Sequence, residues 1–206
     1  MLFRSPKPVI AARKQPLQAR STQLVADVLE AAVRVLTSDG ARGFTTARVA
    51  EKAGVSVGSL YQYFPNKEAI LFQLQANEWQ QTRETIEGIL ADSAHPPFDR
   101  LREMVSVFFQ TEWKEADLRK ALDDAAPLYR DAPEAHENWQ ACKHCMFVFM
   151  TEALPQVPVE NRAFIADLVM TIVTAVGERI SEQARSEAEV EAMAVAIGDM
   201  FCSYLD

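Results

Sequence analysis

The 206-residue chain has 49% hydrophobic and 24% charged residues and only 7 glycines, which excludes a disordered or fibrous protein. Its length allows one good-sized core, or a small domain beside a larger one. The net charge of −8 argues at face value against a nucleic-acid partner, but the charge is unevenly placed. Residues 1–67 hold ten Lys or Arg against four acids, and residues 68–206 hold 11 against 25. A basic head on an acidic body suits a head that meets phosphate and a body that does not. Cys142, Cys145 and Cys202 are odd in number and form no disulfide framework, as expected in a reducing cytoplasm. Arg4 and Lys7 stand where a secretory peptide needs an apolar run. The apolar stretch 163–176 is too short to span a bilayer and contains Asp167. A cytoplasmic protein with no membrane partner is expected.

Residues 1–20, with Pro6, Pro8 and Pro16 and no helical period, are expected to be a flexible basic arm. From Ser21, a plausible N-cap, the residues Leu24, Val25, Val28, Leu29, Ala32, Val33 and Leu36 form one apolar stripe of a helix that stops at Asp39-Gly40. Thr45 or Thr46 can cap a short second helix running to Lys52 or Ala53, with Val49 and Ala50 inward. Gly54 supplies the positive φ of a sharp corner, and Ser56 caps a third helix over Val57 to Phe64. Leu60 and Phe64 occupy its buried side, while Ser59, Gln62 and Tyr63 share another face. This is the spacing of a helix-turn-helix spanning 21–66.

Residues 67–206 read as a linking helix and a larger bundle. The expected helices are Lys67 to about Ala91, Leu101 to Lys114, Asp117 to Ala125, Pro133 to Leu154, Glu160 to Gln183, and Ser186 to Leu205. His95-Pro96-Pro97 breaks the first of them, and Ser186 with Glu189 makes a capping-box pattern at the last. The fold class is therefore all-α, a three-helix head and a C-terminal helical bundle with about nine helices in all. The apolar residues of the last two long helices cover more circumference than one core needs, and a second copy would bury the excess. That homodimer seam is expected from Ile165, Leu168, Val169, Ile172 and Val176 with Met193, Ile197, Met200, Phe201 and Tyr204. Met104, Phe108, Trp113, Trp139, Phe147 and Met150, with Cys142, are candidates to line a pocket for an apolar or aromatic small molecule.

Other functions find little footing. On a helix His144 lies about 200° around from Cys142, so His136, Cys142, His144 and Cys145 do not converge as metal ligands. No G-x-S-x-G, phosphate loop or H-E-x-x-H occurs, so no catalytic residue, metal or cofactor is expected. A helical adaptor that binds only protein would leave the cationic arm and the Gln62/Tyr63/Lys67 face unexplained.

The segment FTTARVAEKAGVSVGSLYQYFPNKEAIL, Phe44 to Leu71, resembles the DNA-binding domain of TetR-family repressors. It matches a T-T helix start, an A-G-V-S turn, a G-[TS]-L-Y-x-[HY]-F recognition helix and a following P-x-K-E, and the resemblance covers about residues 21–75. It implies a homodimeric repressor on double-stranded operator DNA, released from a near-palindromic site by an effector in the body. By position, Ser59, Tyr61 and Gln62 would face the major groove, and the Gln62 amide suits bidentate bonding to adenine. Tyr63 would meet phosphate, and Thr45, Thr46, Ser56 and Lys67 at helix starts suit phosphate as well. One departure stands out, since Val57 occupies a position often polar or basic in that family. Arg48, or Arg13, Lys14 and Arg20 from the arm, would compensate for it.

Overall fold

The computed structural model describes residues 19–128, 133–184 and 186–206. Nine α-helices occur among them: α1 (Ala19–Gly43), α2 (Thr46–Lys52), α3 (Val57–Tyr61), α4 (Lys67–Ala91), α5 (Pro97–Lys114), α6 (Ala116–Ala125), α7 (Pro133–Ala153), α8 (Val159–Gln183) and α9 (Glu187–Leu205). A single 3-10 turn, Ala126–Leu128, follows α6, and no strand is present among the described residues. The all-α class and the helix count expected from the sequence are those observed. The chain divides into two compact units, one of residues 1–78 and 120–132, the other of residues 79–119 and 133–206, so the boundaries fall inside α4 and α6.

In the first unit α1 begins at Ala19, ahead of the expected cap at Ser21. The arm reading, including Arg13 and Lys14, lies outside the described residues. The helix leaves regular geometry at Gly40 (φ 66, ψ 176) and makes one further turn to Gly43. Val28, Ala32, Leu36, Phe44, Val49, Leu60 and Ile70 are buried with no more than 1% exposure, with α1 packed on α2 and α2 on α3. α3 is shorter than the sequence suggested, ending at Tyr61 with Gln62 as its C-cap. The helix tightens before Pro65 stops it, the Gln62 and Tyr63 amides donating to carbonyls only three residues back (Ser59 at 3.3 Å, Leu60 at 3.0 Å). Asn66 then restarts the chain, its Oδ1 accepting from the Ala69 amide at 2.8 Å.

The second unit is built around α5, which packs on α7, α8 and α9. Leu101, Met104, Val105 and Phe109 enter a core shared with Met146, Phe149, Met150, Val169, Val173, Val190 and Phe201. α5 starts at Pro97 rather than Leu101, because a proline at the first helical position loses no needed hydrogen bond. The buried guanidinium of Arg100 donates to the Leu90 carbonyl and to Glu152 and lies 5.4 Å over the Phe149 ring. Both terminal nitrogens are thereby engaged, Nη1 by the carbonyl and Nη2 by the carboxylate, while Nε is buried without a hydrogen-bond partner. Ser186 caps α9 as expected, accepting from the Glu189 amide at 3.3 Å.

Candidate nucleic-acid interface

The corner between α2 and α3 fixes everything that α3 displays. Thr45 Oγ1 accepts the Arg48 amide at 3.3 Å, satisfying one of the open donors at the start of α2. At the other end the Val55 amide donates to the Ala50 carbonyl at 3.0 Å, with Gly54 at φ 68, a region where a side chain would clash with its own backbone. Ser56 Oγ accepts the Ser59 amide at 3.0 Å and pairs with Ser59 Oγ at 2.8 Å. The two caps and the glycine were legible in the sequence, and each is where it was expected.

α3 buries Leu60 completely and leaves Val57 (40%) and Tyr61 (38%) exposed, with Gln62 exposed just beyond them. Ser59 and Lys67 are half-buried and Thr46 is partly so. Tyr63 does not share the open face with Gln62. At 8% exposure it belongs with Phe64 (2%) to the head's interior, because α3 has already ended when the chain reaches it. Two polar ties escaped the sequence reading. The Thr46 and Tyr61 hydroxyls are hydrogen-bonded at 3.1 Å, which joins α2 to α3. Arg48 Nη1 donates to Asp39 Oδ2 at 2.7 Å and to the Gly43 carbonyl at 3.2 Å, so its guanidinium is held against the end of α1. A helix-turn-helix so arranged offers a short, exposed, side-chain-bearing helix of the width that a major groove admits.

Two family models cover this chain. "Bacterial regulatory proteins, tetR family" matches residues 28–74, and "Tetracyclin repressor-like, C-terminal domain" matches residues 96–206. The chain belongs to the TetR family. The repressor KstR of Mycobacterium tuberculosis is 27% identical over 146 residues, a match covering 70% of this chain and 65% of that protein, so the similarity stops short of the relative's full length. Among solved structures, a TetR-family regulator of Pectobacterium atrosepticum superposes with a TM-score of 0.70 at 17% identity, covering 92% of this chain and 97% of that one. The regulator FadR of Bacillus subtilis, in complex with stearoyl-CoA, gives 0.67 at 17% identity, covering 85% and 96%. At such identities the likeness is one of TetR fold.

In this TetR-family body the seven residues expected to line an effector pocket are not all together. Met104 and Met150 are core residues, and Phe108, Trp113 and Phe147 pack partly buried against that core. Trp139 is 39% exposed and Cys142 half-buried, and neither belongs to the cluster. An open groove of about 660 Å³ lies elsewhere, lined by Arg179, Ile180 and Gln183 near the end of α8 and by Ala184, Glu189 and Met193. Burial pushes the Cys142 thiol up from its ordinary value and the Cys145 thiol up to about 11. Among the described residues no three His, Cys, Asp or Glu are grouped to hold a metal, and no helix is long and apolar enough to cross a membrane.

The residues expected at a dimer seam divide in the same way. Ile165, Val169 and Phe201 are covered by their own protomer, and Leu168, Ile172, Val176, Met193 and Ile197 are partly covered. Met200 (46%) and Tyr204 (60%), one turn apart on α9, stay exposed with Val195 (54%) and with Phe164 (63%) on α8.

Proposed function

We propose that this TetR-family chain is a homodimeric transcriptional repressor that binds a near-palindromic operator through α2 and α3. The observation that carries the reading is the exposed Val57–Tyr61–Gln62 surface of a capped, glycine-cornered helix in a chain of this family. Two heads related by a two-fold axis would read two half-sites about one helical turn apart. The uncovered apolar residues Phe164, Val195, Met200 and Tyr204 support the second copy. Gln62 and Ser59 would meet base edges, and Thr45, Thr46, Ser56 and Lys67 would meet phosphate, while the burial of Tyr63 removes it from that set.

The second unit would hold an apolar or aromatic effector whose binding lowers operator affinity by favouring a different spacing of the heads. Stearoyl-CoA in the B. subtilis relative supports an effector with a long apolar portion. Selection from a random duplex pool tests the proposal. It predicts a two-half-site palindrome whose affinity falls steeply as salt rises. A pool that returns no preferred sequence overturns it. Stearoyl-CoA added to the selected complex is the first effector probe, with release of the duplex expected.

A further inference from the structure

α3 carries an apolar stripe on its open side. Val57 at 40% exposure and Tyr61 at 38% lie one turn apart on a five-residue helix whose contribution to the head's core is Leu60. The Tyr61 hydroxyl is engaged by Thr46 at 3.1 Å. Beside Val57 stands Gly58, where a side chain would find only Ser56 Oγ at 3.8 Å, so nothing there would hold Val57 away from a surface laid against the helix. An isopropyl group can neither donate nor accept a hydrogen bond, which removes it from polar recognition of bases or phosphates. The major-groove edges of the four base pairs include one apolar feature, the C5-methyl of thymine. The first residues of a recognition helix are those that reach base edges.

We infer that Val57, with the Tyr61 ring beside it, reads the C5-methyl group of a thymine in each operator half-site. The inference rests on the DNA-binding reading above. It makes α3 a divided reader: its start recognises a methyl group by removing it from water, and Gln62 at its end recognises a base by hydrogen bonds. The departure of Val57 from the polar residue usual in the family then becomes a difference in operator sequence rather than a missing contact.

The test uses the full chain and its selected operator, with each thymine of a half-site replaced in turn by uracil, which deletes the methyl group alone. One position in each half-site should weaken wild-type binding about fourfold, and about fifteenfold when both half-sites are changed, as expected for one methyl group per half-site returned to water. Val57→Ala should lose a similar factor on the thymine operator and become indifferent to uracil at that position, while keeping its sensitivity elsewhere. Val57→Ser, equally small in volume and more polar, should behave alike, and both should melt as the parent does because Val57 is exposed. Wild-type protein that ignores uracil at every thymine overturns the inference, as does Val57→Ala protein that still tells thymine from uracil there. A chain that selects no duplex removes the DNA-binding reading and this inference together. A chain that selects an operator but ignores uracil removes this one alone.

Discussion

Arg48 reaches back across the Gly40 kink to Asp39, Nη1 to Oδ2 at 2.7 Å, and the same nitrogen donates to the Gly43 carbonyl at 3.2 Å. Gly43 makes the approach possible, since a Cβ there would stand 2.8 Å from Asp39 Cβ and 3.2 Å from Nη1. The guanidinium, engaged through Nη1, ties the end of α1 to α2, and we propose that it serves as a brace rather than as a phosphate contact. With both side chains partly exposed, the pair is worth at most about 1 kcal/mol to stability. Arg48→Gln and Asp39→Asn should therefore weaken operator binding by similar factors, with the double variant no worse than either. The slope of log affinity against log salt should stay that of wild type. A phosphate contact would instead show a slope reduced by about 1 in Arg48→Gln and tighter binding in Asp39→Asn.

The two capping hydroxyls should be separable by measurement. Thr45→Ala and Ser56→Ala each remove the acceptor for an otherwise open amide, at a cost of about 1 kcal/mol, visible as a lower urea midpoint with unchanged slope. Ser56→Gly should recover most of that loss, because glycine is nearly as good a cap. Since α3 is only five residues long, Ser56→Ala should also lower operator affinity more than Thr45→Ala does.

The cysteines offer a pH-dependent check on burial in the second unit. Burial pushes the Cys145 thiol up to about 11, with Glu87 and Cys142 adding to the effect. The thiolate is the reactive form, so at pH 8 only about one Cys145 in a thousand would be ionised. Alkylation of Cys145 by iodoacetamide should be at least about a hundredfold slower than that of a free cysteine, rising about tenfold per pH unit up to pH 10. Labelling at the rate of a free thiol would contradict the placement of Cys145 on α7.

The exposed residues of α8 and α9 predict where association can be broken. Tyr204→Asp or Phe164→Asp places a charge on a surface that a second copy would dehydrate. Either change should convert a dimer to a monomer in sedimentation equilibrium and reduce operator binding to that of one half-site. Val169→Ala, inside the protomer's own core, should instead lower the thermal midpoint and leave the association state alone. Loss of the dimer in Val169→Ala alone would place the seam elsewhere.

Much of this architecture is local, and what is local was legible. Gly54, Ser56 and the Thr45 cap announce the corner because each solves a backbone problem within four residues of itself. The span of α4, Lys67 to Ala91, follows from a helix start after Pro65-Asn66 and a break before Pro96. What could not be read is what depends on where another segment lies. Tyr63 was placed on the open face by extending α3 through Phe64, and the end of the helix at Tyr61 rotates it inward. The Asp39–Arg48 pair spans nine residues and a kink, and no periodicity reports it. Two-sided apolarity of α8 and α9 shows that one core contact does not use all of their apolar residues, but not which side the chain's own α5 will occupy. That choice puts Ile165, Val169 and Phe201 inside and leaves Phe164, Met200 and Tyr204 outside.

The central claim is that α3 reads sequence in a dimer. It is tested most directly by titrating the selected operator and a random duplex of equal length with wild-type and Gln62→Ala protein at two salt concentrations. The account predicts that wild type prefers the operator by at least about a thousandfold and that both affinities fall as salt rises. It also predicts that Gln62→Ala loses affinity for the operator while binding the random duplex as before. Equal wild-type affinity for the two duplexes, or a Gln62→Ala protein unaltered on both, would contradict it.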